Sequence, residues 1–192
     1  VAVFYYDLMS PYAYLAAERI DDVFSDEPAE WQPVLLGGLF RANGRSSWAV
    51  GDEQRRRDGI ADIEGRAARI GLPPLRWPRS WPTSSLMAMR LAIHARRAGR
   101  EREFAAAAFR TAFAEGRDLG ELENVLAAAG KVGLDRADVE AALADPAVKD
   151  ELRAVTDAAH ARGVFGVPTV AVDDKLFWGE DRLEEAARAA AR

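Results

Sequence analysis

The sequence predicts an α/β fold: a βαβ unit at the start and a ββα unit at the end surround a mixed sheet, with a large all-helical insertion between them. Three observations carry this. Val3 to Tyr6 is a β-branched and aromatic run that turns at Asp7-Leu8-Met9-Ser10-Pro11 into helix-patterned sequence. Gly163 to Val172 is a glycine-rich approach, a Val167-Pro168 step and a strand. Between them, alanine-rich segments repeat apolar residues at helical spacing and stop at glycines.

At the opening corner, Ser10 can cap a helix whose first position is Pro11. The first-turn N–H groups there lack intrahelical acceptors, so the place suits a thiolate, carboxylate or phosphate. Ser10 is equally well explained as a plain N-cap. Tyr12, Leu15, Ile20, Val23 and Phe24 share one face, which predicts a single helix over 11–24. Ala29 to Leu36 gathers β-formers and reads as the second strand, parallel to the first, and Gly37-Gly38 closes the unit.

Leu39 to Gly51 is rich in Arg, Asn, Gly and Ser and reads as a loop carrying an exposed Trp48. Gln54 to Ile70 is a polar, arginine-rich helix. The following Trp77-Pro78-Arg79-Ser80-Trp81-Pro82 cannot be regular structure. Trp77 and Trp81 either plug a helical layer or wall an apolar substrate pocket beside Tyr12. Helices follow over 84–98, capped by Thr83 or Ser84, then over 101–114, 121–132, 136–144 and 146–162. Thr169 to Val172 and Lys175 to Trp178 flank the turn Asp173-Asp174, which predicts an antiparallel hairpin before a last helix over 181–191. The expected units are residues 1–39 with 151–192, and a helical insertion over 40–150.

The chain has 192 residues, 49% hydrophobic and 30% charged, with a net charge of −5, which opposes a general nucleic-acid surface. Cysteine is absent, so disulfides and thiolate metal sites are excluded. His94 and His160 lie in helical segments without metal-spaced partners, so no metal is expected. No apolar run approaches a membrane span. The expectation is a soluble cytoplasmic protein without nucleic-acid or membrane partners.

Phe4 to Leu15, Gly163 to Val170 and Phe177 to Leu183, in that order, together resemble the family of 2-hydroxychromene-2-carboxylate isomerases and kappa-class glutathione transferases, in the DsbA-like branch of the thioredoxin-like superfamily. Where disulfide oxidoreductases of that branch carry Cys-Pro-X-X-Cys, this chain has Ser10-Pro11-Tyr12-Ala13, which removes dithiol chemistry. The resemblance implies that Pro168 is a cis-proline facing the Ser10-Pro11 corner, and that Ser10 donates a hydrogen bond to the sulfur of a bound thiol. It further implies that the main chain of Val167 pairs with the thiol compound's cysteinyl backbone and that Asp181 holds its amino group.

Arg55 corresponds to a family lysine that meets the tripeptide's glycine carboxylate, although Arg55-Arg56-Arg57 also fits a solvated face. Asp181 with Glu184 also fits a capping box. Two positions depart from the family: Arg45 follows Gly44 where relatives often carry asparagine, and Glu180 replaces Ser or Asn. A carboxylate at 180 repels the α-carboxylate of glutathione unless a cation intervenes. The cofactor implied is therefore glutathione or another low-molecular-weight thiol, with mycothiol as a candidate whose hydroxyls suit Glu180. The activity implied is isomerisation of an unsaturated aromatic-derived small molecule by a homodimer. A kappa-like transferase or peroxidase, and a non-catalytic thiol- or peptide-binding module, are the alternatives.

Overall fold

The computed structural model describes residues 1–191. Strand β1 (Ala2–Tyr6) leads through the Asp7–Ser10 corner into α1 (Pro11–Ala17), α2 (Ile20–Val23) and β2 (Glu30–Pro33). The chain continues through α3 (Leu36–Ala42), α4 (Glu53–Arg69), α5 (Leu86–Arg97), α6 (Glu101–Phe113), α7 (Leu122–Gly130), α8 (Arg136–Ala144) and α9 (Pro146–Ala161). The chain then returns as the hairpin β3 (Thr169–Val172) and β4 (Lys175–Trp178), a 3-10 turn (Glu180–Arg182) and α10 (Leu183–Ala190). The sheet order is β2-β1-β3-β4. β1 pairs parallel with β2 and antiparallel with β3, which pairs antiparallel with β4.

The two units meet at the centre of the sheet, where Phe4 stands opposite both Trp31 of β2 and Val170 of β3. An aromatic column ties this sheet to α6. Phe4 lies 5.0 Å from Trp31, Tyr6 lies 6.0 Å from Phe109, and Tyr14 of α1 stacks 5.5 Å from Phe113. Helix α5 packs on α6, α8 and α9, while α9 reaches back to β2 and α3. Local sequence starts several helices as expected: Asp52 caps α4 through Arg55 N at 2.9 Å, and Asp145 with Pro146 opens α9.

Four sequence expectations are corrected. The single helix over 11–24 breaks at Glu18–Arg19, where Arg19 leaves helical geometry and reaches Glu180 and Glu184. Gly37-Gly38 does not close the βαβ unit but lies inside α3, and β2 ends early. The Leu36 amide donates to buried Asp7 at 2.7 Å, starting the helix, and Gly38 lets α9 approach, since a Cβ there would meet Thr156 at 3.1 Å. Gly44 belongs to a Schellman cap, with φ +61 and the Arg45 amide donating to Phe40 O at 2.8 Å, so part of the expected loop is helix. The N-cap position of α5 is held by Ser85 rather than Thr83 or Ser84, and the Ser85 hydroxyl turns to Asp7 at 3.0 Å, while Ser84 Oγ accepts from the first amide of the helix, Leu86 N, at 3.3 Å. The hairpin turn forms as expected, with Asp173 at φ 50.

Candidate active site

Ser10 ends the corner at the N-cap of α1 with 5% exposure. Its Oγ accepts from Ala13 N at 3.2 Å, which leaves the hydroxyl proton to point elsewhere. That proton reaches the carbonyl of Val167 at 3.5 Å, the long limit of a hydrogen bond. Asp7 holds the corner from beneath. Fully buried, its carboxylate accepts from Met9 N, Leu36 N and Ser85 Oγ, tying the starts of α1, α3 and α5 to one point. Burial pushes the Asp7 pKa up, opposed by those three hydrogen bonds.

The facing segment Gly166-Val167-Pro168 has a cis Val167–Pro168 peptide. It is braced by Thr169 Oγ1, which donates to Gly166 O at 2.7 Å, and by Gly179 N, which donates to Pro168 O at 2.9 Å. The amide of Val167, a residue only 7% exposed, finds no acceptor among the described residues. A backbone donor left over opposite Ser10 is what a ligand with its own peptide carbonyl requires.

Between the two segments lies a cavity of about 1120 Å³. Ser10, Pro11, Tyr12, Arg45, Arg55, Trp81, Val167, Pro168, Glu180 and Asp181 all line it, so residues far apart in sequence share one concave surface. Trp77 does not line it. Its ring stands 4.7 Å behind Trp81 and its indole N–H donates to Glu64 at 2.9 Å, so it buttresses the wall rather than forming it. The place expected for Trp77 is taken by Trp48, which is partly buried rather than exposed and lies 5.6 Å from Trp81 and 6.3 Å from Tyr12.

The electrostatics are uneven. On the α3–α4 side, Arg41, Arg45 and Arg55 line the cavity and none has an ion-pair partner among the described residues. Arg45 lies over the Phe165 ring at 5.5 Å. On the opposite side, Glu180 is 5% exposed and its carboxylate is shared by Arg66 at 2.8 Å and Arg19 at 3.4 Å. The cation that Glu180 needs is therefore built in, and the carboxylate does not face the cavity uncompensated. Arg66 also donates to Asp62 at 2.8 Å and covers the Tyr12 ring at 5.6 Å. Burial and the hydrogen bond to Asp62 push the Tyr12 hydroxyl up to about 12, so it remains a protonated donor at neutral pH. The capping box expected from Asp181 and Glu184 does not form: neither side chain caps the 3-10 turn or α10, and Glu184 pairs with Arg19.

Sequence reasoning missed Asp7, Arg66 and Trp48. Asp7 had one legible signal, an acidic residue between an apolar strand and an apolar turn. Arg66 looks like its neighbours on a polar helix until the fold carries Glu180 to it.

A mixed four-stranded sheet whose first helix opens opposite a strand-heading proline defines a thioredoxin-like protein, and a serine at that opening without any cysteine sets it apart from the dithiol oxidoreductases of that class. Residues 1–191 match the DSBA-like thioredoxin domain, and the chain belongs to that family. It is 31% identical over 188 residues to 2-hydroxychromene-2-carboxylate isomerase of Sphingobium xenophagum, covering 94% of this chain and 93% of that protein. It is 27% identical over 200 residues to human glutathione S-transferase kappa 1, covering 94% and 86%. A solved 2-hydroxychromene-2-carboxylate isomerase superposes with a TM-score of 0.86 at 26% identity, covering 100% of this chain and 94% of that one. Among the described residues no cluster suited to a metal ion occurs, and no helix is long and apolar enough to cross a membrane.

Proposed function

We propose that this chain is a thiol-cofactor-dependent isomerase of the 2-hydroxychromene-2-carboxylate type, acting on an unsaturated aromatic-derived substrate. The observation that supports this reading is the Ser10 hydroxyl, oriented by Ala13 N and lying at the cavity with only a 3.5 Å bond to Val167 O to give up. When bound, the thiol supplies a nucleophilic sulfur that adds to the substrate and leaves again, so that a former double bond can rotate in between.

The residues of this chain do the rest. Ser10 turns its proton from Val167 O to the sulfur and stabilises the anion. A free thiol has a pKa of about 8.5, and each unit of depression corresponds to about 1.4 kcal/mol. Helix α1 has only seven residues, so the hydroxyl must carry most of this stabilisation. The free Val167 amide holds the thiol compound's backbone, and Asp181 receives an ammonium. Arg45 and Arg55 receive carboxylates, in which role a guanidinium offers paired donors. Tyr12, Trp48 and Trp81 shelter the aromatic part from water.

The test is calorimetric titration with reduced glutathione and then with mycothiol, following thiolate absorbance across pH. Binding with a thiol pKa below about 7.5 is expected, and Ser10→Ala should return it towards about 8.5 while lowering turnover about 100-fold. An unchanged pKa in Ser10→Ala would rule out the serine mechanism. The relationship to the human kappa transferase favours one second reading, a transferase or peroxidase. The two differ in thiol balance, since an isomerase returns every equivalent of thiol and a transferase consumes one per turnover.

A further inference from the structure

Of the aromatic rings on the cavity lining, Tyr12, Trp48 and Trp81 form one packed cluster, and they are held in different ways. Trp81 is 3% exposed, its indole N–H donates to Met9 O at 3.2 Å, and its carbonyl accepts from Arg56. Tyr12 is tied by its hydroxyl to Asp62 at 3.0 Å. Trp48 has neither kind of tie. It lies outside regular structure between α3 and α4, and its indole N–H donates to no acceptor among the described residues. Packing alone places it. Its six-membered ring rests on Gly59, in the middle of α4, so closely that a Cβ there would come within 2.6 Å of Cε3 and 2.7 Å of Cη2.

A glycine in a helix interior costs stability relative to alanine, so the half-buried glycine at 59 has to be explained by what it admits. What it admits is the Trp48 indole. With the ring seated there, its edge meets Tyr12 at an interplanar angle of 70° and its face tilts 48° from Trp81. The three rings pack against one another as one aromatic wall of the same cavity that the Ser10 corner borders.

We propose that Trp48, seated on Gly59, is the specificity-determining residue of this cavity: it fixes the aromatic wall against which a second ring stacks and so selects planar two-ring aromatic carboxylates over single-ring ones. This rests on the reading of the cavity as a site for an aromatic-derived substrate. Two-ring acids offer a second ring to the indole, and Arg41, without an ion-pair partner among the described residues, stands on the same lining for the carboxylate. Gly59 touches no ligand and acts through Trp48, as a positioning residue.

The test uses the full chain without added thiol and measures binding of 2-naphthoate and benzoate by calorimetry. The wild type should bind 2-naphthoate more tightly than benzoate. Trp48→Ala should lose at least tenfold for 2-naphthoate, with Trp48→Phe in between. Gly59→Ala should lose about as much although the indole is still present, and should cause no further loss in the Trp48→Ala background. Thermal unfolding gives a readout without ligand. Gly59→Ala should lower Tm in the wild type, where it evicts the ring, and raise it in Trp48→Ala, where only the gain in helix propensity is left. Wild-type binding in Gly59→Ala, or the same loss from Gly59→Ala in both backgrounds, overturns the inference. A wild type that binds a thiol but neither acid overturns it together with the aromatic substrate class, and leaves the Ser10 chemistry standing.

Discussion

Arg66 reaches from the last turn of α4 to Glu180 in the 3-10 turn, closing a 2.8 Å ion pair across 114 residues of sequence. Asp62 holds the same guanidinium from its own helix, and the hydrogen bond to Glu180 is the main reason the arginine's pKa rises. Substituting Arg66 by methionine leaves the buried Glu180 with Arg19 alone. Breaking a buried pair costs about 3–5 kcal/mol, and the remaining arginine and the partial exposure of Arg66 reduce this to about 1–3. The double variant Arg66→Met, Glu180→Gln should recover more than half of the loss in urea denaturation. Additive losses would show that the pair is not coupled.

Glu101, at the start of α6, is pushed up to about 7 by burial, against the pull of Arg96 at 3.6 Å and of the Tyr6 hydroxyl at 3.3 Å. Arg102 lowers it further and Glu30 raises it. The folded carboxyl therefore binds its proton more tightly than the unfolded one, so this contribution to stability is complete below about pH 4.5 and is lost as pH rises through about 7. The loss should be about 2–3 kcal/mol between these limits. Asp7 shifts in the same direction, so the measurement is the difference between wild type and Glu101→Gln at pH 4.5 and pH 8. A constant difference across pH would refute the assignment.

Asp118 fastens the tryptophan loop to the α6–α7 connection. Its carboxylate accepts from Ser80 Oγ, from Thr83 Oγ1 at 2.7 Å and from Gly120 N at 2.7 Å. Partial burial pushes its pKa up, but these three donors outweigh burial and leave it lowered. Removing the acceptor in Asp118→Ala frees all three and should cost about 1–2 kcal/mol. The expected signature is local: faster amide exchange over residues 78–83, with β1 and β3 protected as before. Uniform loss of protection would place Asp118 in the global core instead.

How much was legible depended on the range of the interaction that decided each feature. The strands β3 and β4, their Asp173-Asp174 turn and the helix over 136–144 were read from local sequence, because alternation, turn chemistry and capping residues act within a few positions. Gly37-Gly38 misled, because glycine is a breaker only where nothing else supports the helix. Here Asp7 starts it from 29 residues away, and the close approach of Thr156 makes use of the missing side chain. Trp48 looked exposed because its partners, Gly59, Tyr12 and Trp81, lie on three different elements.

By itself the sequence determined the α/β class, the mixed sheet with its helical insertion, and the placing of Ser10 and Pro168 at the head of a helix and a strand. Those properties follow from periodicity, propensity and caps, which are local. Only the tertiary structure decided that Arg66 and Arg19 neutralise Glu180, that Trp48 rather than Trp77 walls the cavity, and that Arg41, Arg45 and Arg55 stand beside it without an ion-pair partner among the described residues. Charge compensation and ring packing are pairwise and depend on distance, so they exist only once the chain has brought residues a hundred positions apart within a few ångströms of one another.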